Sequence, residues 1–231
     1  MIVLTVSMIT CLVDRVAAQV ELAAWGANYD GQCNVPGLPQ GLSYVEVAAG
    51  WDFTLARRSD GSAVSWGGNS EGQCNVPAVP GGISFVEIAA GYHHAIARLN
   101  DGSVLAWGRN TEGQCNVPTF PGGLSCVQVA AGDFHNLARL SDGSVVAWGW
   151  NNWGQCNVPA LPLGLAYVEF AAGSYHTVAR RSDGSLVGWG NDGYGQSTVP
   201  ALPSGLSFVE VSAGGTSTVA RLSDGSVMAW G

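Results

Sequence analysis

The sequence predicts an all-β protein built of repeated four-stranded units, the architecture of a β-propeller. Trp-Gly recurs at a constant spacing of 41 residues, at Trp25, Trp66, Trp107, Trp148, Trp189 and Trp230. Asp-Gly recurs at the same spacing, between two short apolar runs of strand length. Glycine accounts for 33 of the 231 residues, and no segment has a helical period of useful length. A repeat of about 40 residues with tight turns is typical of propeller blades.

The strands are predicted from the pattern inside one unit. The apolar run 126–131 has the length of a strand, and residues 135–140 predict a second strand after a short loop. The Asp-Gly pair that follows is expected to form a type I′ hairpin, because both central residues of that turn need a positive φ. Residues 145–148 predict a third, Trp-bearing strand, and segment 113–118 starts a weaker fourth strand or an edge. Such hairpins make neighbouring strands antiparallel, which favours blades over a solenoid of parallel coils.

The composition excludes several classes of function. The formal net charge is −8, and all nine basic residues are arginines. A nucleic-acid binder needs a basic stripe that neutralises phosphates, and an anionic membrane surface needs one as well. Hydrophobic residues make up 47% of the chain and charged residues 11%, a composition opposite to that of disordered proteins. We therefore expect a folded acidic protein with neither nucleic acid nor membrane as partner.

Residues 1–19 do not follow the repeat, whereas residues 20–231 form the repeat domain. Residues 2–13 are an apolar run, too short for a transmembrane helix but suited to a signal peptide. Val16 and Ala18 resemble the small residues before a cleavage site, although no basic residue precedes the run. The segment is read either as a signal peptide or as a degenerate N-terminal piece of an earlier repeat. We expect a secreted or periplasmic protein, with a cytoplasmic location as the alternative.

The repeat carries a recognisable set of short motifs. In one unit they are Ala171-Ala172-Gly173, His176-Thr177, Asp183-Gly184, Trp189-Gly190 and Gly195-Gln196. This set resembles the regulator of chromosome condensation repeat family, and similar matches run from about residue 20 to the end. The Gly-Gln-Cys-Asn-Val-Pro form is closest in style to bacterial secreted members of that family, which include a proteinaceous β-lactamase inhibitor.

The resemblance implies a fold and raises a question of blade number. The family fold is a seven-bladed propeller, whereas this chain has five full units and an extra Trp strand over residues 20–26. We therefore expect a fragment or an incomplete ring. The founding member of the family is a nucleotide exchange factor for the small GTPase Ran that docks on chromatin. The lack of a basic surface argues against a chromatin role here, and exchange activity is kept as an alternative function.

The cysteine and histidine rows are both interpreted as structural. Cys33, Cys74, Cys115 and Cys156 share one repeat position, which Ser197 fills in the fifth unit. Equivalent positions on neighbouring sheets lie about 10 Å apart, too far for a disulfide. Cys126 replaces aromatic residues at another position and is expected in the core. His94, His135 and His176 share a position with Phe53 and Ser217, so a metal-binding ring is incomplete, and each His is expected to bond to backbone at a strand start.

The repeated charges are expected to form cross-strand ion pairs. The arginine row is Arg57, Arg98, Arg139, Arg180 and Arg221, and the facing row is Glu46, Glu87, Gln128, Glu169 and Glu210. The sequence has no Gly-x-Ser-x-Gly elbow, no phosphate-binding loop before a helix and no paired carboxylates outside the repeat. No catalytic residue, cofactor or metal is therefore predicted, and the protein is not expected to be an enzyme.

Two loops vary while the rest of the repeat stays constant. One follows Ala-Ala-Gly, and the other lies between Trp-Gly and Gly-Gln. In an up-and-down sheet both loops emerge at the same end. The predicted site residues in these loops are Trp51, Tyr92, Phe134, Trp150, Trp153, Tyr175 and Tyr194. Acidic residues are interspersed among them: Asp30, Asp52, Glu71, Glu112 and Asp133.

Exposed Trp and Tyr are enriched at the centres of protein interfaces. The sequence therefore predicts a non-catalytic protein-binding module whose site centres on Trp150, Trp153 and Tyr175. The alternatives are a guanine-nucleotide exchange factor for a small GTPase, by family analogy, and a hydrolase or lyase with a site in the channel. A competing interpretation of the aromatic residues is that they only pack against neighbouring loops.

Overall fold

The computed structural model describes residues 3–6, 9–16 and 19–231, with side chains from residue 22 onward. The predicted signal peptide or degenerate segment, residues 1–19, therefore lies outside the described side chains. The chain divides into two compact units, Met1–Val117 and Pro118–Gly231. Within the described residues no helix has the length and apolar character needed to cross a membrane.

The described residues of the first unit form three antiparallel sheets, each of three strands that are consecutive in the chain. The strands are β1 (Val3–Val6), β2 (Ile9–Val16), β3 (Gln19–Gly26), β4 (Tyr44–Ala49), β5 (Phe53–Arg58), β6 (Ala63–Gly67), β7 (Phe85–Ala90), β8 (His94–Leu99) and β9 (Val104–Gly108). Each of β4–β9 combines the apolar, β-branched and aromatic residues that strands favour.

The second unit repeats this arrangement three times. Its strands are β10 (Cys126–Ala131), β11 (His135–Leu140), β12 (Val145–Gly149), β13 (Tyr167–Ala172), β14 (His176–Arg181), β15 (Leu186–Gly190), β16 (Phe208–Ala213), β17 (Thr218–Leu222) and β18 (Val227–Trp230). The predicted all-β repeat architecture is confirmed.

The predicted fourth strand is wrong, since each sheet has three hydrogen-bonded strands. The segment after β6 forms turn hydrogen bonds and no strand ladder. The Cys74 backbone N–H donates to Asn69 Oδ1 at 2.9 Å, and Val76 N–H donates to the Cys74 carbonyl at 3.0 Å. Pro77 follows and has no N–H to donate to a ladder. The fourth segment of the repeat is therefore an irregular turn.

The Asp-Gly hairpins also differ from the predicted type I′ turn. The Gly61 N–H donates to the Arg58 carbonyl at 3.0 Å, so Ser59 and Asp60 occupy the centre of the turn. Gly61 follows with a φ of 80°, as in a three-residue loop that closes with a glycine bulge. Asp60 Oδ1 accepts hydrogen bonds from the backbone N–H and the hydroxyl of Ser62. The Asp is selected for this side-chain cap rather than for a positive φ.

Each repeat is tied to its neighbour in the same unit by a buried carbonyl. The Trp107 indole N–H donates to the Gln73 carbonyl at 3.0 Å, and Trp189 bonds in the same way to the Gln155 carbonyl at 2.9 Å. Apolar side chains such as Leu55 and Phe85 fill the space between neighbouring sheets. A buried side chain of this size contributes about 1.5–3 kcal/mol. The constant spacing of the Trp residues, and of the carbonyls that accept from them, thus positions the loops that vary.

Candidate partner-binding site

The two variable loops of each repeat lie at the same end of its sheet and hydrogen bond to each other. The Trp150 N–H donates to the Phe134 carbonyl at 2.9 Å, and Asn191 N–H donates to the Tyr175 carbonyl at 2.8 Å. Gly68 N–H makes the same bond to Asp52 at 2.8 Å in the first unit. The backbone therefore holds side chains from both loops next to each other, whatever those side chains are.

In the first unit, two of the predicted site residues form an aromatic stack. The rings of Trp51 and Tyr92 lie 4.8 Å apart with an interplanar angle of 24°. Tyr92 also meets the edge of the His93 ring at 4.4 Å. Trp51 is 49% exposed, so one face of the stack is open to solvent.

A polar network lies beside that stack. Asp52 Oδ1 is 3.2 Å from Gln73 Nε2 and 3.2 Å from His93 Nδ1. The side chains of Asp52 and His93 are 16% and 17% exposed. Because the carboxylate accepts from Gln73, it satisfies a donor that would otherwise be buried without a partner.

In the second unit, three predicted site residues form a ring cluster. Phe134 and Tyr175 are nearly parallel, with centroids 5.9 Å apart and an interplanar angle of 14°. Trp150 meets the edge of both, at 5.7 Å from Phe134 and 5.0 Å from Tyr175. All three are partly buried. The structure thus brings together Trp150 and Tyr175 from the predicted centre and adds Phe134 to them.

Trp153 and Tyr194 are the most open predicted site residues of the second unit. Trp153 is 55% exposed and Tyr194 is 73% exposed. Each of these rings leaves a large apolar area in contact with water. The interpretation that the aromatic residues only pack on neighbouring loops therefore applies to the three-ring cluster but not to Trp153 or Tyr194.

Two of the three buried histidines, His135 and His176, bond to threonine hydroxyls rather than to backbone, which corrects the predicted partner. His135 Nε2 lies 3.0 Å from Thr177 Oγ1, and His176 Nε2 lies 2.9 Å from Thr218 Oγ1. The Thr218 hydroxyl donates to the Gln196 carbonyl, so it accepts from the His176 Nε2–H. Burial lowers the pKa of His176 to about 4, partly opposed by Asp192. These contacts are those of buried side chains that join neighbouring sheets.

The cysteines are free thiols in the part of the chain with described side chains, as predicted. The Cys115 thiol donates to the Arg109 carbonyl at 3.1 Å, and the Cys74 thiol to the Gly68 carbonyl at 3.1 Å. Burial raises the pKa of Cys115 to about 11 and that of Cys156 to about 12. Such thiols are poor nucleophiles and poor metal ligands at neutral pH.

The cross-strand ion pairs form as predicted. Arg57 Nε lies 2.8 Å from Glu46 Oε2, across the β4–β5 register. Glu46 Oε1 also accepts from the Ile88 N–H of the next sheet at 3.2 Å. Gln128 accepts from Arg139 at 3.2 Å in the repeat that lacks the Glu. The row therefore joins strands and neighbouring sheets. Among the described residues no cluster of three or more His, Cys, Asp or Glu could hold a metal ion.

The glutamine of each Gly-Gln pair belongs to a buried row that was not predicted from the sequence. Gln32, Gln73, Gln114, Gln155 and Gln196 are all between 0 and 3% exposed. A glutamine repeated at a fixed position in every unit was visible in the sequence. Its burial was not, because the turn that encloses it has no regular pattern.

The fold and the loops define a β-propeller repeat protein with variable aromatic loops at one end of its sheets. The family model of the regulator of chromosome condensation (RCC1) repeat matches residues 44–73, 85–114, 126–155 and 167–196, just over half of the chain. The chain therefore belongs to the RCC1 repeat family. No curated protein sequence matches it.

Solved structures with the same fold come from several proteins. Yeast RCC1 (Prp20), solved bound to Kap60, is 21% identical with a TM-score of 0.81, covering 99% of this chain and 69% of that chain. Prp20p from Saccharomyces cerevisiae, described with its binding to Gsp1p and histones, is 22% identical with a TM-score of 0.80, covering 99% and 71%. The ectodomain of the Arabidopsis thaliana receptor kinase ACR4 is 24% identical with a TM-score of 0.72, covering 98% and 77%. At these identities the likeness establishes the fold alone.

Proposed function

We propose that this chain is a non-catalytic protein-binding module that uses the variable aromatic loops at one end of its sheets. The observation that carries the proposal is the exposure of large aromatic side chains there: 49% for Trp51, 55% for Trp153 and 73% for Tyr194. Trp and Tyr are enriched among the residues that dominate binding energy. The structural neighbour Prp20 binds other proteins, as its complex with Kap60 illustrates.

The acidic residues of the loops are expected to contribute unequally. Glu112 is already paired with Arg109 at 2.8 Å, and Asp52 with Gln73 and His93. Asp30 and Glu71 are exposed. We propose that these two exposed carboxylates affect the rate and salt dependence of association, as rim charges do, more than the affinity.

The test is a comparison of two matched alanine variants. Trp153→Ala removes an exposed ring from the proposed site, whereas Leu163→Ala removes a fully exposed apolar side chain from the Pro-rich link at the other end of the sheet. Proteins captured from the native extract by each immobilised variant are quantified by mass spectrometry. We expect genuine partners to be retained by Leu163→Ala and to fall about tenfold or more with Trp153→Ala. Equal capture by both variants would contradict the proposal.

The second candidate function is nucleotide exchange on a small GTPase, which rests on membership of the RCC1 repeat family. It is tested by the release of a fluorescent nucleotide from a small GTPase in the presence of the chain. We expect no acceleration. A rate that rises with the concentration of the chain would favour the exchange factor instead.

We also propose that the protein is secreted or periplasmic, from the apolar run near its start. N-terminal sequencing of the protein isolated from its native source tests this proposal. A mature chain that begins after Ala18 is the expected result, and an uncleaved chain in the cytoplasm would overturn it.

A further inference from the structure

The buried glutamine row has one orientation in all five repeats. Its Oε1 accepts the backbone N–H of the residue two positions earlier, at 2.8–3.0 Å, from Asp30, Glu71, Glu112, Trp153 and Tyr194. A backbone N–H can only donate, so these bonds decide which end of each amide is oxygen. Each Nε2 is consequently the end of the amide that is left to donate to other groups.

The Nε2 donors of three repeats have acceptors from the variable loops. Gln73 Nε2 donates to Asp52 at 3.2 Å, and Gln114 Nε2 donates to Glu112 at 3.1 Å. Gln196 Nε2 donates to Asn191 at 2.9 Å. The acceptors come from different repeat positions, which indicates that several positions of the loops surround each amide.

Gln155 differs from these three. Around Gln155, Phe134 takes the repeat position of Asp52, Trp153 that of Glu112, and Trp150 that of Asn191. None of these three side chains offers an acceptor. His93 Nδ1 also lies 3.4 Å from Gln73 Nε2. Tyr175 takes the repeat position of His93 beside Gln155. Gln155 is 0% exposed, and its Nε2 has no hydrogen-bond partner among the described residues. Burying such a donor is unfavourable, because it loses its hydrogen bond to water and gains none in the protein.

Backbone contacts place this donor at the ring cluster. A Cβ built on Gly190 would lie 2.6 Å from the Tyr175 carbonyl oxygen and 3.1 Å from Gln155 Cβ. The Tyr175 backbone and the Gln155 side chain are therefore adjacent. Trp150 and Phe134 are held to the same place by their mutual backbone bond at 2.9 Å and by their rings. By equivalence with Gln73 and Gln196, whose amides bond at these repeat positions, the Gln155 amide faces the Phe134, Trp150 and Tyr175 cluster.

The charges of these loops select an uncharged ligand. Asp133 and Asp192 are the charged residues in the loops at this end of the second unit. Two carboxylates without a basic residue disfavour a carboxylate or phosphate ligand. A cation would leave the Gln155 N–H without an acceptor and would face the positive end of its dipole. A neutral acceptor is what remains, and aromatic rings suit a flat group that can stack on them.

We infer that Gln155 and the rings of Phe134, Trp150 and Tyr175 form a binding site for an uncharged amide carbonyl of a protein partner. The carbonyl belongs to the partner's backbone, and it accepts the Gln155 Nε2–H after a ring of the cluster turns aside, since the amide is 0% exposed beneath the rings. The inference rests on the proposed protein-binding function and assigns the part of the partner that this site recognises. Trp153, exposed beside the cluster, extends the apolar contact.

N-methylacetamide is the probe, because it carries a peptide carbonyl and little else. The side-chain NH₂ resonances of Gln155 are followed by NMR in the ¹⁵N-labelled full chain and are assigned with Gln155→Glu. We expect saturable shifts of these resonances, with a dissociation constant of about 1 mM or weaker, as the size of so small a ligand allows. Acetate, tetramethylammonium and methyl glucoside serve as comparison probes and are expected to cause no saturable shift.

A matched pair of variants tests the role of the donor. Gln155→Glu replaces the Nε2 donor by an acceptor and keeps Oε1, whereas Gln196→Glu makes the same change where Asn191 already supplies the acceptor. We expect N-methylacetamide binding, followed by tryptophan fluorescence, to weaken about tenfold or more in Gln155→Glu and to be unchanged in Gln196→Glu. If Gln155→Glu fails to fold, the Gln155 NH₂ resonances are assigned through bonds in the ¹³C,¹⁵N-labelled wild-type chain, and its titration decides the question.

Three outcomes would overturn the inference. A shift that grows linearly without saturation would be a solvent effect, meaning that the rings shield the donor. Saturation by methyl glucoside, acetate or tetramethylammonium in preference to N-methylacetamide would assign a different ligand. Equal weakening in both glutamate variants would show that the donor has no special role. If the probe fails while Trp153→Ala still loses partners, the protein-binding proposal survives and only this site is wrong.

Discussion

The side-chain amides of Gln73 and Gln155 occupy the same place in two repeats, yet their surroundings differ. Gln73 meets the carboxylate of Asp52 and the ring of His93, so its donor is satisfied within the chain. The equivalent positions around Gln155 carry Phe134 and Tyr175, and its donor has no acceptor among the described residues. The backbone is the same in both, since the loops make the same bonds. The same backbone therefore allows a repeat either to satisfy the glutamine donor with its own side chains or to leave that donor for a partner.

The largest expected effect comes from a substitution in the repeated scaffold, at Gly173 of the second unit. A Cβ on Gly173 would lie 2.2 Å from His176 Cε1 and 2.4 Å from the Gly214 carbonyl oxygen. Neither the buried ring nor the backbone can move far, so Gly173→Ala should lower the free energy of unfolding by about 3 kcal/mol or more. Gly122→Ala, where nothing lies within 4 Å, is the control and should be nearly neutral. Urea unfolding measures both, and equal stabilities would refute the packing argument.

The second effect is a loss of stability in acid, through His176. Its folded pKa of about 4 lies below the ordinary histidine value of 6.5, mainly because burial disfavours the charged ring. The unfolded chain therefore takes up the proton first as pH falls. The contribution of His176 is complete above about pH 6.5 and decreases by about 3 kcal/mol by pH 4.

His176→Phe tests this pH dependence, because Phe53 fills the same repeat position in the first unit. The variant should lose stability less steeply than the wild type between pH 6.5 and pH 4, as measured by urea unfolding at several pH values. Parallel curves for the two proteins would show that another group causes the acid sensitivity.

The third effect tests the polar network of Asp52, Gln73 and His93 directly. Asp52→Ala removes the acceptor of the Gln73 amide and the partner of His93. We expect a loss of about 1–3 kcal/mol in the free energy of unfolding, since Gln73 would be left in the condition of Gln155. Asp30→Ala is the control, because Asp30 is exposed, and should change stability by less than about 0.5 kcal/mol. A neutral Asp52→Ala would mean that the network contributes no stability.

The smallest effect on stability, and the sharpest test of the comparison, is expected for Phe134→Asp. This change gives Gln155 the acceptor that Asp52 provides for Gln73. The new charged hydrogen bond should offset the lost ring contacts to within about 1 kcal/mol. Binding of N-methylacetamide should disappear, because the donor would be occupied. Retained binding would show that the probe does not use Gln155.

Much of the scaffold could be predicted from the sequence. The constant spacing of the Trp row, together with the alternation of apolar runs and turns, predicts the strands and their order because both depend on local periodicity. The Arg57–Glu46 pair was predictable for the same reason, since antiparallel pairing places the two residues opposite each other. The end of the sheet at which the variable loops lie follows from strand parity.

Local geometry at the turns was harder to predict. The Asp60-Gly61 pair is compatible with a two-residue or a three-residue loop, and the side-chain cap on Ser62 accompanies the second. The segment around Asn69 and Cys74 has the composition of an edge strand, yet its own side chains satisfy its backbone. Such competition between side chain and ladder leaves no trace in the hydrophobic pattern.

The sequence by itself determined the repeat, its three apolar strands, the family and the loops that vary, because these properties are periodic or compositional. Only the tertiary structure decided what the variable residues do. Whether Phe134, Trp150 and Tyr175 stand apart or form a cluster depends on loops that meet through backbone bonds between distant positions. The same applies to Gln155, whose amide is identical in sequence to that of Gln73. Its unmet donor arises from the neighbours that folding brings to it, and a hydrogen bond needs a partner in space rather than in sequence.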